Sequence, residues 1–249
     1  MALELLPLEG IPAIGPGDDL AQRLAEACGR AGVASDVPAV LVVCQKIVSK
    51  AEGRIVDLRT IEPSAFARRI AEPSAKDPRV VEVVLAESRR IVRMDQGHLI
   101  VETRHGFVCA NAGVDESNSL DANTVILLPV DPDASAERLR ADLLQRFGHD
   151  LAVVISDTFG RPWREGLVEV AIGAAGMLPL LDLRGSHDLT GRELHHTVVA
   201  VADELASAAG LIMEKDSGIP AVAVRGYRYR AGHGRAAELV RDPAKDLFR

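Results

Sequence analysis

Short apolar runs separated by Pro-, Gly- and Asp-rich punctuation make up most of this chain. Pro12, Pro16 and Gly17 make the opening a loop, and Asp18 or Asp19 then caps an Ala- and Leu-rich helix running to about Arg30. Ala39–Val43 has the composition of a buried strand and leads directly into Gln45–Lys50, read as a strand end or loop. Glu62-Pro63-Ser64 and Asp77-Pro78 each start a helix, because a polar side chain can accept from the first free N–H groups and proline is tolerated in the first turn. Between Arg90 and Ala110 three apolar segments alternate with Gly97 and Gly106, which predicts a β-meander. Val125–Leu128 is a further strand, and Asp131-Pro132-Asp133 leads into a helix from Ala136 to Phe147 while also offering a candidate hinge. Val153–Ile155 reads as a strand that stops at Ser156-Asp157-Thr158, followed by a strand at Val168–Ile172, a helix at Thr197–Leu211, a strand at Ala221–Val224 and a short helix at Ala236–Val240.

Hairpin-like β segments mixed with helices, without a uniform βαβ repeat, predict an α+β fold of mixed, largely antiparallel sheets with flanking helices. The expected organisation is a single domain over residues 1–249, at most two intertwined subdomains, with no repeat or long linker. Hydrophobic residues make up 47% of the chain but aromatic ones only 3%, so the core must rest on Val, Leu, Ile and Ala.

A formal net charge of −7 argues against a broad basic surface for nucleic acid, and few aromatic residues argue against base-stacking platforms. An anionic nucleotide would therefore need local positive charge, against the sign of the whole chain. Apolar runs fall short of the roughly 20 residues of a membrane span, and Glu4 and Glu9 in the N-terminal segment are unlike a secretory signal. Cys28, Cys44 and Cys109 lie far apart with no CxxC spacing, so buried free thiols in a reducing cytoplasm are expected. His195 and His196 are adjacent and cannot chelate as a pair on a strand or a helix, and neither a P-loop nor a Gly-x-Ser-x-Gly motif occurs.

Two segments carry the candidate chemistry. In Val153–Gly176 (VVISDTFGRPWREGLVEVAIGAAG) an apolar run closes on Asp157 and Thr158, with Arg161 and Arg164 just beyond. In Phe107–Asn118 (FVCANAGVDESN) an apolar run is followed by Gly113, Asp115 and Asn118. Two carboxylates meeting at one rim would repel each other unless a cation lay between them, and Mg²⁺ or Mn²⁺ needs only one or two carboxylates plus phosphate oxygens. Two arginines nearby would offset phosphate charge. Read alone, each segment is equally a surface turn capped by an aspartate. Lys46 and Lys50 in Gln45–Gly53 (QKIVSKAEG) are point charges suited to a phosphate, or simply solvated lysines.

Together these segments, from GIPAIGPGDDL at Gly10–Leu20 to IPAVAVRGY at Ile219–Tyr227, resemble the coenzyme F420-0:L-glutamate ligase family along nearly the whole chain. The resemblance implies an unusual α+β fold, a homodimer with its active site near the intersubunit region, and GTP, L-glutamate and coenzyme F420-0 as substrates. It implies two divalent cations (Mg²⁺ or Mn²⁺) and admits K⁺ besides. By that likeness Asp115 and Asp157 hold one cation and Thr158 a second, with Glu214 as the further ligand and Lys215 as the competing match. The nucleotide falls to Ile11, Pro12, Ala13 and Ile14, to Gln45 (where many members have Ser), Lys50 and Asn118, and to the stretch from Met213 through Lys215 to Pro220. Some family members carry an additional C-terminal reductase-like domain, which is not expected here.

The implied reaction is amide formation through an acyl phosphate, giving F420-1, and in some members a γ-linked second glutamate, with GDP and phosphate. Lys50, Arg161 and Arg164 would stabilise the transferring phosphoryl group, the arginines on the strength of charge and placement alone. Two other readings of the same acids are metal-dependent phosphoester hydrolysis and GTP or metal binding without turnover.

Overall fold

The computed structural model describes residues 2–33, 38–74, 76–117 and 121–246. A short strand β1 (Glu4–Pro7) precedes the loop and helix α1 (Leu20–Arg30), whose N-terminus is capped by Asp19 accepting from the Gln22 N–H at 3.0 Å. Strand β2 (Ala39–Cys44) runs into helix α2 (Gln45–Ala51) and strand β3 (Ile55–Asp57). Helices α3 (Ala65–Ala71) and α4 (Pro78–Ala86) start where expected, with Ser64 and Asp77 as caps. The predicted meander is β4 (Ser88–Asp95), β5 (His98–Thr103) and β6 (Val108–Ala110), followed by β7 (Thr124–Ile126). Helix α5 (Pro132–Phe147) leads to the hairpin of β8 (Ala152–Arg161) and β9 (Arg164–Ala175). The two-residue strands β10 (Leu181–Asp182) and β11 (Val198–Val199), helix α6 (Val201–Gly210) and strand β12 (Ala221–Arg225) complete the fold.

The architecture is α+β with largely antiparallel sheets. Its main sheet has the order β1-β12-β2-β8-β9, and within it only β2 and β8 pair in parallel. β2 and the first half of β8 are buried on both faces, which is why they read as continuous apolar runs. On one face Leu41, Val43, Val153 and Ile155 pack with α1 and α5, while on the other Val40, Val42, Val154 and Val224 pack under α6. A third cluster, including Ile70, Val81, Leu99, Val101 and Val125, joins α3 and α4 to the meander and the β3–β7 pair. Each fully buried Val or Leu contributes roughly 1.5–3 kcal/mol, so aliphatic side chains sustain these cores without aromatic help.

Four expectations change. Gln45–Lys50 is helix, not strand end or loop, because the chain turns at Cys44 as soon as β2 leaves the sheet. β8 does not stop at Asp157 but continues to Arg161, since β9 supplies a partner strand along its whole length. The helix read from Thr197 begins only at Val201, after β11 pairs with β10. The candidate hinge at Asp131-Pro132-Asp133 is a clamp: Asp131 caps α5, and the buried Asp133 carboxylate accepts from the Ala174 N–H at 2.9 Å and the Ala236 N–H at 2.7 Å. Among the described residues, no helix is long and apolar enough to cross a membrane.

This clamp depends on close approach at Gly173, where a Cβ would lie 2.3 Å from the Pro132 carbonyl oxygen. Gly173→Ala is therefore expected to push the start of α5 off β9 and destabilise the protein by about 1–3 kcal/mol, read as a lower melting temperature by calorimetry.

Candidate active site

Parallel pairing aligns Cys44 of β2 with Ser156 of β8, so the two strands bring α2 and Asp157-Thr158 side by side. Ligand sites in sheets commonly form beyond the carboxyl ends of adjacent parallel strands, where the connections diverge. The helical period of α2 turns Gln45 and Ser49 inward, with Ser49 Oγ donating to Gln45 Oε1 at 2.8 Å, and leaves Lys46 and Lys50 half-buried on the site side. Gln45 is 1% exposed, so its side chain is closed off from a nucleotide.

Asp115 reaches the same rim by an unusual path. After β6 the backbone passes through Asn111, Ala112 and Gly113 with φ of 51°, 56° and 70°. A Cβ on Gly113 would lie 2.8 Å from Leu128, so this position needs glycine for space as well as for backbone angle. Left-handed backbone costs a non-glycine residue about 1–2 kcal/mol, and such strain tends to collect beside functional groups. Asp115 is then fixed by two backbone hydrogen bonds of 2.9 Å with Ile126.

The Asp115 carboxylate meets Lys46 Nζ at 2.8 Å and accepts from both the N–H and the hydroxyl of Ser117 at 2.7 Å. Burial works to raise its pKa, but the hydrogen bonds from Lys46 and Ser117 outweigh it and hold the carboxyl below its ordinary value. Asp157 has the opposite fate. Burial raises it to about 7, with repulsion from Glu169 and Asp115 adding to the rise and the Thr158 N–H and Lys46 opposing it. Among the described residues it makes no salt bridge. The two aspartates thus share one electrostatic environment, in which Lys46 pairs with Asp115 and also acts on Asp157.

Glu169 is the residue that the sequence reading passed over. It lies opposite Thr158 across the β8–β9 pair, and Thr158 Oγ1 donates to its Oε1. The other carboxylate oxygen, Oε2, is buried without a partner. One acid in the otherwise apolar run Val168–Ile172 was the available signal, but its facing depends on a bulge. Between Ile155 and Ser156 the register shifts, and the Ala171 N–H there is taken up by Asp203 of α6 at 2.9 Å. No local pattern reveals that shift.

Other predicted residues fall around or away from this rim. Lys50 is half-buried with no ion pair among the described residues; burial and repulsion from Lys46 lower its pKa while Asp115 works the other way. The Gly10–Gly17 loop is tied to the end of α2 by the Gly17 N–H to Ala51 carbonyl bond of 2.9 Å, with Ile14 buried, Ile11 half-buried and Pro12 and Ala13 exposed. Pro220 borders the site, its carbonyl accepting from the Cys44 N–H at 2.9 Å, and Met213 packs beneath α6. Glu214 and Lys215 are exposed on a turn in which Ser217 donates to the Glu214 carbonyl. The structure does not draw either into the Asp115–Lys46–Asp157 group. Asn118 lies outside the described residues.

Arg161 and Arg164 stand apart. They face each other at the exposed tip of the β8–β9 hairpin, where Arg161 donates to the Glu165 carbonyl. Because β8 extends instead of turning, Arg161 lies four strand positions past Asp157, roughly 13 Å at 3.3 Å per residue.

These donors suit a hard cation. Two carboxylates and a hydroxyl are oxygen ligands of the kind Mg²⁺ or Mn²⁺ prefers, and the orphaned Glu169 Oε2 adds uncompensated polarity beside them. Among the described residues no three His, Cys, Asp or Glu side chains form a group able to hold a metal alone, so a cation here would complete its shell from phosphate and water. The thiols are poor alternatives: burial pushes Cys28 up to about 11 and Cys44 and Cys109 up to about 12.

A model of the F420-0:Gamma-glutamyl ligase family matches residues 10–226. The chain belongs to this family. Similar proteins named Coenzyme F420:L-glutamate ligase come from Methanothermobacter thermautotrophicus (48% identical, covering 100% of both chains), Methanopyrus kandleri (48%, covering 100% of this chain and 98% of the relative) and Archaeoglobus fulgidus (43%, 100% and 97%). The rim built by Asp115, Asp157, Lys46 and Glu169 lies inside the matched region of this ligase-family chain.

The paired acids give one prediction and the left-handed turn before Asp115 a second. A carboxyl raised to about 7 in the folded protein and ordinary in the unfolded chain costs nothing below about pH 4, and its penalty grows as pH rises to about 7. Metal-free protein should therefore lose stability across that window, and Asp157→Asn should raise the melting temperature in EDTA at pH 8 but not at pH 4. Separately, Ala112→Gly relieves left-handed strain but deletes a buried methyl and loosens the unfolded chain, so stability by urea unfolding should stay within about 1 kcal/mol of wild type.

Proposed function

We propose that this protein is a GTP-dependent ligase that joins L-glutamate to the carboxylate of coenzyme F420-0, forming F420-1, GDP and phosphate. The observation that carries this reading is the convergence of Asp115 and Asp157 on one rim, with the Lys46 and Lys50 ammonium groups beside them. Family membership supplies the amide-forming chemistry, and the local charge supplies a reason for a polyphosphate to bind an acidic protein.

In this reading Asp115, Asp157 and Thr158 hold divalent cations. When bound, such ions neutralise phosphate oxygens and favour cleavage of the terminal phosphoanhydride. Lys50 meets the phosphates as an ammonium already stripped of part of its water, so less hydration is lost on contact. Lys46 holds Asp115 in place and balances charge between the acids. The Gly10–Gly17 loop and Pro220 border the nucleotide mainly through backbone.

The reaction then divides into two displacements. A carboxylate oxygen of coenzyme F420-0 attacks the terminal phosphorus of GTP, and the bond to the GDP oxygen breaks. The α-amine of glutamate, having released its extra proton to solvent, attacks the acyl carbon, and phosphate leaves with the carbon–oxygen bonding pair. The second amine proton is lost as the amide forms.

We read the assembly as a homodimer. Trp163 and Leu167, 79% and 58% exposed on the hairpin tip, are apolar surface that a second copy can cover. Arg161 and Arg164, at the same hairpin tip, would then meet a phosphate bound to the other copy.

Purified protein incubated with GTP, glutamate, Mg²⁺ and coenzyme F420-0 should give a product heavier by one glutamyl residue in mass spectrometry, with one GDP per amide. GDP formed at the same rate without glutamate and acceptor would mark a hydrolase instead. Asp157→Asn should lower turnover about a thousandfold, and Lys50→Ala should raise the KM for GTP tenfold or more.

A further inference from the structure

The mechanism leaves Glu169 without a task, yet its placement is costly. Its Oε2 is buried without a hydrogen-bond partner, and an unsatisfied buried polar atom is destabilising, the more so when charged. The side chain is also held firmly. Ser207 Oγ of α6 donates to the Glu169 carbonyl at 2.8 Å, and the end of the same helix lies directly on the side chain, since a Cβ on Gly210 would sit 2.6 Å from Glu169 Cγ. The β-bulge clamped by Asp203 sets the register that faces Glu169 to Thr158. Strand, bulge and helix together point one carboxylate at one hydroxyl.

A threonine hydroxyl has one proton and two lone pairs. Left free, it can point its proton at a cation and so present the wrong end. With the proton committed to Glu169 Oε1, only oxygen lone pairs remain for anything approaching from the other side. This is the arrangement by which an outer acceptor orients a metal ligand.

We propose that Glu169 is a positioning residue for Thr158: it accepts the hydroxyl proton in a hydrogen bond and turns the oxygen's lone pairs toward the second divalent cation. This inference rests on the cation-assisted reading above, and it assigns a role to a residue that neither the motif nor the charge pattern singled out. Glu169 acts through Thr158, so its effect must vanish when Thr158 has no hydroxyl.

The test is a double-mutant cycle read by Mn²⁺ binding in the presence of GDP, without acceptor or glutamate, using electron paramagnetic resonance to separate free from bound ion. Glu169→Ala should weaken the weaker Mn²⁺ site at least tenfold when Thr158 is present, and less than twofold in a Thr158→Val background. Glu169→Gln keeps an acceptor oxygen of the same reach and should stay within about threefold of wild type, with thermal melting reporting that each variant is folded. Undiminished binding in Glu169→Ala, or an equal loss in both backgrounds, overturns the proposal. Asp157→Asn run alongside separates the two levels of the argument. If it leaves Mn²⁺ binding unchanged, the cation reading of the site fails; if it abolishes the tighter site while Glu169→Ala has no effect, only the positioning role fails.

Discussion

The parallel register that sets Cys44 beside Ser156 governs the rest of this molecule. It sets the end of β2 level with the middle of β8, and beyond that level the chain follows a different path from each strand. One leaves as α2, which carries Lys46 and Lys50; the other continues as a strand bearing Asp157 and Thr158. Backbone hydrogen bonds and aliphatic burial on both faces hold that register, since a slip by one residue would exchange the two cores. Site geometry is thus a by-product of a deeply buried strand pairing.

Around this pairing the protein uses carboxylates in two distinct ways. Asp133 and Asp203 are structural: each reaches from a helix to an N–H of β9, at Ala174 and Ala171 respectively, and so fixes the strand from opposite sides. Asp115, Asp157 and Glu169 are instead gathered at one rim with too little positive charge. Lys46 satisfies Asp115, but Asp157 remains desolvated and repelled by its neighbours. A buried excess of negative charge is unfavourable for folding, and a cation-binding role gives it a physical reason.

Strain follows the same division. The left-handed turn at Asn111, Ala112 and Gly113 sits immediately before Asp115, and the third core cluster packs Ala112 into place. The cluster of α3, α4 and the meander therefore does more than fill a third core. It supplies the rigid support that delivers Asp115 to a rim otherwise built by the main sheet.

Much of the element order was legible in the sequence for local reasons. Ser64, Asp77 and Asp131 mark helix starts because a short polar side chain can accept from free N–H groups, and Gly97 and Gly106 divide the meander because turns need their backbone freedom. Asp115 and Asp157 were visible as acids closing apolar runs. What no local pattern decided was pairing. The continuation of β8 past Asp157, which carries Arg161 and Arg164 away from the rim, depends on β9 being present as a partner. The helix at Gln45–Ala51, which buries Gln45 and aims Lys46 at Asp115, depends on where β2 leaves the sheet. Glu169 faces Thr158 only because a bulge shifts the register and Asp203 takes up the spare N–H. Which segments are apolar, which residues cap and which acids are available could be read from the chain directly, since these are properties of single residues and short windows. Tertiary structure alone decided which acids meet, because that follows from strand register and burial between segments far apart in the chain.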